Sequence, residues 1–288
     1  MSVLKVVDLS YTYSRGTPFS YDAIKNVSLS VEKGEIVGII GHTGSGKSTL
    51  IQHINGLIKT TKGKIFLNGV DIWENPDAIK EIRFKVGLVF QYPEYQLFDE
   101  TVYDDISFGP KNMGLSEDEI KQRVLQAARH LGIDDELLKK SPFDLSGGEK
   151  RRAAIAGVLA MQPEVLILDE PMAGLDPKGR DTLISFIKQY RAETGATILI
   201  VSHSMEDMAK IADRLLLMNK GEIAMFDTVS NVFSHSKLLV DIGLDVPQVT
   251  QIADGLNKLG LKIDNNIFTV EALKNALLSL KNGGDARA

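Results

Sequence analysis

The chain has 288 residues, 33 Lys and Arg against 38 Asp and Glu, and no cysteine. The net charge of −5 leaves no global basic excess, so no nucleic-acid partner is expected, and the missing cysteines exclude disulfides and thiolate chemistry. No run of about 18 apolar residues marks a membrane span and the N-terminus lacks the residue order of a signal peptide, so any work at a membrane requires another protein to cross it.

Residues 2–9 (SVLKVVDL) and 64–67 (KIFL) have short, strand-like apolar content. Ile36–Ile40 is instead a continuous apolar run ending in glycine, the pattern of a strand buried on both faces of a parallel sheet. It leads into Gly41-His42-Thr43-Gly44-Ser45-Gly46-Lys47-Ser48, which fits G-x-x-x-x-G-K-[ST] and opens a helix with apolar positions Leu50, Ile51, Ile54 and Leu57. Strand, glycine-rich loop and helix form the setting of a phosphate-binding loop. The glycines permit a tight turn that aims successive N–H groups at an anion, and Lys47 adds positive charge near the β- and γ-phosphates. Residues Gly41 to Ser48, together with Thr49, are the expected ATP contacts.

A further apolar stretch, Val86–Phe90, closes on Gln91. Residues 95–160 read mainly as helix, with Ser116 three residues before Glu119 as a capping-box start, and so predict a helical insertion in a sheet domain. Inside it lies Leu145-Ser146-Gly147-Gly148-Glu149, followed by Lys150-Arg151-Arg152. A helix from Ser146 to about Met161 would offer Ser146, Gly147 and Gly148 as a second anion site, through its free N–H groups and positive dipole end.

Val165–Leu168 then delivers Asp169 and Glu170 at the strand end where open α/β sheets bind ligands. Beside a phosphate loop, Asp169 is expected to hold Mg²⁺ with the Ser48 hydroxyl, and Glu170 to polarise the attacking water. Thr197–Val201 precedes His203, and Leu215–Met218 is one more strand candidate; strands alternating with helices imply an α/β fold. After about residue 228 the pattern changes. Val246, Val249, Ile252, Ala253 and Leu256 fall on one helical face, as do Val270, Leu273, Leu277 and Leu280, predicting a helical appendage over 229–288 behind a nucleotide-binding domain at 1–228. Packing on its own core and contact with a partner subunit are equally open readings of that tail.

The Leu145–Glu149 motif resembles the signature of ATP-binding cassettes, with Glu149 where glutamine is usual, and the resemblance spans roughly residues 3–225. It implies an α/β P-loop nucleotidase with a parallel sheet core, an antiparallel β subdomain and the helical insertion. It further implies that Tyr13 stacks on adenine, that Gln91 contacts Mg²⁺ and water and links the site to a membrane partner, and that His203 contacts the γ-phosphate. Asp176, in Ala173-Gly174-Leu175-Asp176, falls in the loop that senses a second cassette, whose γ-phosphate would lie on this chain's signature. The catalytic pair is then Glu170 and His203, with Ser48, Gln91 and Asp169 at the metal.

The segment Phe90–Phe98, continuing through Thr101-Val102 to Phe108-Gly109-Pro110, is similar to the ATPases of energy-coupling-factor importers and their cobalt or nickel relatives. That resemblance implies a peripheral protein on the cytoplasmic face of the cell membrane. Its partners would be a second ABC ATPase subunit in a heterodimer or homodimer, a transmembrane scaffold and a substrate-capturing membrane protein, with a vitamin or a transition-metal ion as cargo. Aromatics and Leu97 would form an apolar groove for the scaffold, with Glu94, Asp99, Glu100, Asp104 and Asp105 for its basic residues. The alternatives are an ATPase of another ABC transporter type and a soluble cassette protein acting on ribosomes or DNA.

Overall fold

The computed structural model describes residues 2–261, 263 and 264, and 267–284. Its strands are β1 (Ser2–Tyr13), β2 (Tyr21–Glu32), β3 (Ile36–Ile40), β4 (Lys62–Leu67), β5 (Val70–Asp71), β6 (Val86–Val89), β7 (Val165–Asp169), β8 (Thr197–Val201), β9 (Arg214–Asn219) and β10 (Glu222–Thr228). Helices interleave as α1 (Lys47–Ile54), α2 (Ile79–Lys85), α3 (Val102–Asn112), α4 (Glu117–His130), α5 (Asp135–Leu138), α6 (Gly147–Leu159), α7 (Pro177–Thr194) and α8 (Met205–Ile211). The tail adds α9 (Val229–Ser234), α10 (Ser236–Asp241), α11 (Gln248–Lys258) and α12 (Val270–Gly284).

Two sheets form. β10-β9-β3-β8-β7-β6 is parallel except for β10, and β2-β1-β4-β5 is antiparallel. The continuous apolar runs are explained by cover on both faces of the parallel sheet. Ile36 and Ile40 of β3, Leu166 and Leu168 of β7, and Ile198 and Ile200 of β8 face a core shared with the helical insertion. Val37, Ile39, Val165, Ile167, Leu199 and Val201 face a second core, shared with α1 and the antiparallel sheet. Gly221, in the turn between β9 and β10, stitches the two sheets together: its carbonyl accepts from Lys25 of β2 at 2.8 Å and its N–H donates to Ser45 at 3.0 Å.

Three expectations change. The helix after the phosphate loop stops at Ile54, and Leu57 lies beyond it, exposed. The chain does not change core at residue 228, since Val232, Phe233, Leu239, Leu244 and Val246 are buried in the core of the parallel sheet and insertion. A separate small core begins only with Val249, Ala253, Ile263, Ile267 and Leu273. In the tail helices the supposed apolar faces are only partly used: Ile252, Val270, Leu277 and Leu280 are exposed, whereas Val249, Ala253 and Leu273 are buried.

Candidate active site

The strand order β3-β8-β7-β6 sets the carboxyl ends of four parallel strands side by side, and each end carries one expected group. β3 runs into the phosphate loop, β8 is followed by His203, β7 by Glu170 and β6 by Gln91. Sequence positions more than 150 apart thereby meet in one cavity of about 340 Å³, lined by Thr43, Gly44, Gly46, Lys47, Ser48, Thr49, Gln91, Asp169, Glu170 and His203, with Tyr21, Ala23 and Val201 completing the wall.

The loop itself demands glycine at Gly46. Its φ of 103° disfavours any side chain, and a Cβ there would lie 2.5 Å from the Ala23 carbonyl oxygen. Lys47 is buried, and its ammonium donates to the Gly41 and His42 carbonyls at 2.7 and 3.0 Å. Burial pushes its pKa down, opposed by the charges of Glu170 and Asp169. The His42 imidazole turns away to Asn219, at 3.1 Å, so this residue contributes its backbone to the loop. Ser45 is fully buried beneath it.

Glu170 adopts the left-handed region at φ 49°, a conformation that non-glycine residues rarely hold without surrounding support. That support is the hydrogen bond from its N–H to the Val201 carbonyl at 3.0 Å. Burial raises its pKa to about 7; the His203 N–H and Lys47 act the other way, and the neighbouring Asp169 adds to the rise. Its Oε1 is buried without a hydrogen-bond partner among the described residues, although His203 Nε2 lies 3.2 Å away, not aligned for a hydrogen bond. Burial, and then Lys47, push the His203 pKa down, so the ring is neutral at pH 7. Asp169 is raised by burial and lowered by Lys47.

Tyr13 does not line the cavity. It pairs with Tyr21 across the β1–β2 ladder, its hydroxyl 3.4 Å from Thr49 Oγ1, while Tyr21 is on the cavity wall and donates its hydroxyl to the Gly44 carbonyl at 2.8 Å. Hairpin register thus sets Tyr21 against the phosphate loop, with Tyr13, the residue expected to stack on adenine, beside it. Ser146, Gly147, Gly148 and Asp176 also lie outside the cavity. Asp176 caps α7 by accepting from Gly179 at 2.7 Å. Ser146 caps α6, and Gly148 shares a broad groove with Asp176, Arg151 and Arg152.

Arg151, in sequence one of three consecutive basic residues, is buried and bidentate to Glu94. Glu94 is therefore not free for a membrane partner. Two more of the five expected acids are also engaged internally: Asp104 accepts from Thr101 and Lys111, and Asp105 accepts from the N–H groups of Phe98 and Asp99. The apolar part of the expected surface is present. Phe98 and Phe108 are exposed and pack edge to face at 5.1 Å, on a groove that includes Phe84, Leu97 and Met161.

Residues 24–173 match the family described as ABC transporter. The energy-coupling factor transporter ATP-binding protein EcfA2 of Caldanaerobacter subterraneus subsp. tengcongensis is 52% identical over 280 residues, covering 97% of this chain and 98% of that protein. Its counterpart of the same name from Clostridium perfringens is 53% identical over 278 residues, with 96% and 98% covered. Among solved structures, cbiO1 from Clostridium perfringens, described as part of the ABC transporter complex cbiONQ, superposes with a TM-score of 0.75 at 38% identity, covering 90% of this chain and 98% of that one. The cassette MJ0796, solved as a dimer in a post-hydrolysis state bound to ADP and Pi, gives a TM-score of 0.70 at 28% identity over 78% of this chain and 98% of that one.

Proposed function

The chain belongs to the ABC transporter family, and on that premise we propose that it is the ATP-hydrolysing subunit of an energy-coupling-factor type importer, powering uptake of a vitamin or transition-metal ion through a separate membrane complex. The observation that carries this reading is the meeting of Lys47, Asp169, Glu170 and His203 in one cavity on the phosphate loop.

ATP enters with its phosphates on the loop N–H groups, and the Lys47 ammonium, now held by two carbonyls, turns its charge to the β- and γ-phosphates. Ser48, Gln91 and Asp169 place a hydroxyl, an amide and a carboxylate on the same cavity, the hard oxygen donors that suit Mg²⁺. These residues would hold the ion, which supplies neutralisation of the phosphate charge. Glu170, poised near neutrality with an unpartnered buried oxygen, orients the attacking water and takes its proton. Neutral His203 stands 3.2 Å from it, positioned to donate to the γ-phosphate.

Ser146–Gly148 lie outside the cavity of their own chain, which supports the reading that they serve nucleotide bound on a second cassette, so that ATP closes a dimer and hydrolysis opens it. No described helix is long and apolar enough to cross a membrane. In this reading a transmembrane scaffold and a substrate-capturing membrane protein carry the transport path, and this subunit docks on the cytoplasmic face through the Phe98–Phe108 groove.

The test is Glu170→Gln in the complex isolated from membranes. ATP binding should persist while phosphate release drops by about 10²–10⁴-fold, the scale of a lost general base. Near-normal phosphate release by this variant refutes the assignment of Glu170.

A further inference from the structure

We propose that Glu149 is a positioning residue that keeps the donors of the signature serine occupied until the cassettes close, which makes it an internal competitor of the incoming phosphate. This rests on the reading that Ser146–Gly148 receive the γ-phosphate carried by the opposite cassette.

The geometry is specific. Glu149 Oε2 accepts from the Ser146 hydroxyl at 2.6 Å and from the Ser146 N–H at 2.8 Å, while the Glu149 N–H donates to Ser146 Oγ at 3.4 Å. A serine hydroxyl has one proton to give, and a phosphate oxygen only accepts. While Glu149 holds that proton, Ser146 has none for nucleotide. The carboxylate stays ionised, since the Ser146 hydroxyl, then its N–H, then Arg152 and Lys140 hold its pKa below the usual range. A full negative charge thus sits at the helix start where another anion must arrive, and like charges brought together oppose closure. The approach is otherwise open: a Cβ built on Gly147 meets nothing within 4 Å.

The fold supplies its own control. Ser116 and Glu119 make the same capping box at α4, with corresponding distances of 2.6, 3.1 and 3.4 Å, at a position outside the nucleotide cavity. The box is an ordinary way to start a helix; only at Ser146 does it occupy donors that a phosphate needs. Glutamine offers the box only a neutral amide oxygen, a weaker acceptor than a carboxylate, so it yields the Ser146 donors more readily and leaves Lys140 and Arg152 to attract the phosphate.

The experiment measures KM for ATP and kcat of the membrane-isolated complex at low and high salt, for wild type, Glu149→Gln, Glu119→Gln and Ser146→Ala. Glu149→Gln should lower KM by about three- to tenfold at low salt, with the gain shrinking as added salt screens the charge. Glu119→Gln should leave both constants near wild type. An unchanged or higher KM for Glu149→Gln, or a gain indifferent to salt, overturns the clamp. Ser146→Ala separates the two layers: a turnover loss of about tenfold or more supports the phosphate contact itself, and wild-type turnover removes that contact and the clamp with it.

Discussion

Arg151 grips both carboxylate oxygens of Glu94, with Nε and Nη2 at 3.2 and 3.0 Å, while its Nη1 donates to the Ala173 carbonyl at 2.6 Å. One side chain therefore ties three parts together: the signature helix, the loop between Gln91 and the aromatic groove, and the segment linking Glu170 to α7. The guanidinium suits this because its fixed fork satisfies a carboxylate and a carbonyl at once, which a lysine cannot do.

Removing one partner of a nearly buried ion pair strands the other. Arg151→Ala should lower stability by about 3 kcal/mol and the melting temperature by roughly 6–12 °C. Arg151→Lys should recover only part of it. A double-mutant cycle with Glu94→Ala measures the coupling, and additive losses would show that the pair contributes nothing.

Glu170 makes a signed prediction for the nucleotide-free, metal-free chain. Its pKa rises from an ordinary 4.5 to about 7 on folding, so the folded state binds the proton more tightly than the unfolded one. That contribution is fully present below pH 4.5 and is lost as pH climbs through 7. Glutamine mimics the protonated form at every pH. Thermal melts should thus show Glu170→Gln matching wild type at pH 4.5 and exceeding it by about 3 kcal/mol at pH 8. Parallel melting curves across this range would mean the carboxyl is not perturbed.

Lys47→Ala deletes the cation facing the phosphates. Equilibrium binding of a fluorescent ATP analogue should weaken by about 10–100-fold, the scale of one charged hydrogen-bonding group. The fold should survive, because the lysine's present partners are carbonyls of its own loop.

Phe233 is fully buried, its ring 5.3 Å from Phe268. Phe233→Ala should cost about 3–5 kcal/mol, read by chemical denaturation. A chain ending at residue 246 should remain folded, since it retains the buried residues up to Val246. One ending at 228 should aggregate, because it uncovers the main core.

How far the sequence revealed this molecule depends on whether a feature is local. Ile36–Ile40, Val165–Leu168 and Thr197–Val201 announced β3, β7 and β8, because a strand covered on both faces must be apolar throughout. The phosphate loop and the Asp169-Glu170 pair were legible for the same reason: their chemistry is written in contiguous residues. Strand β2 went unread because only alternate positions such as Val27, Leu29 and Val31 are buried. Tyr21 needed the ladder that pairs it with Tyr13. Arg151 stands between two other basic residues, and the helix buries it while leaving Lys150 and Arg152 only partly covered. Glu94 was misjudged with it, since neither partner signals the other across 57 positions.

The two hydrogen bonds made by Gly221 reach in opposite directions. β2 is fastened to one side of this residue and the phosphate loop to the other, so a single backbone position couples the antiparallel sheet to the loop. A Cβ at Gly221 would sit 2.9 Å from the Ala23 carbonyl oxygen, so the joint has no room for a side chain. The phosphate loop and strand β2 thus hang on one small residue, and a side chain there would displace both together.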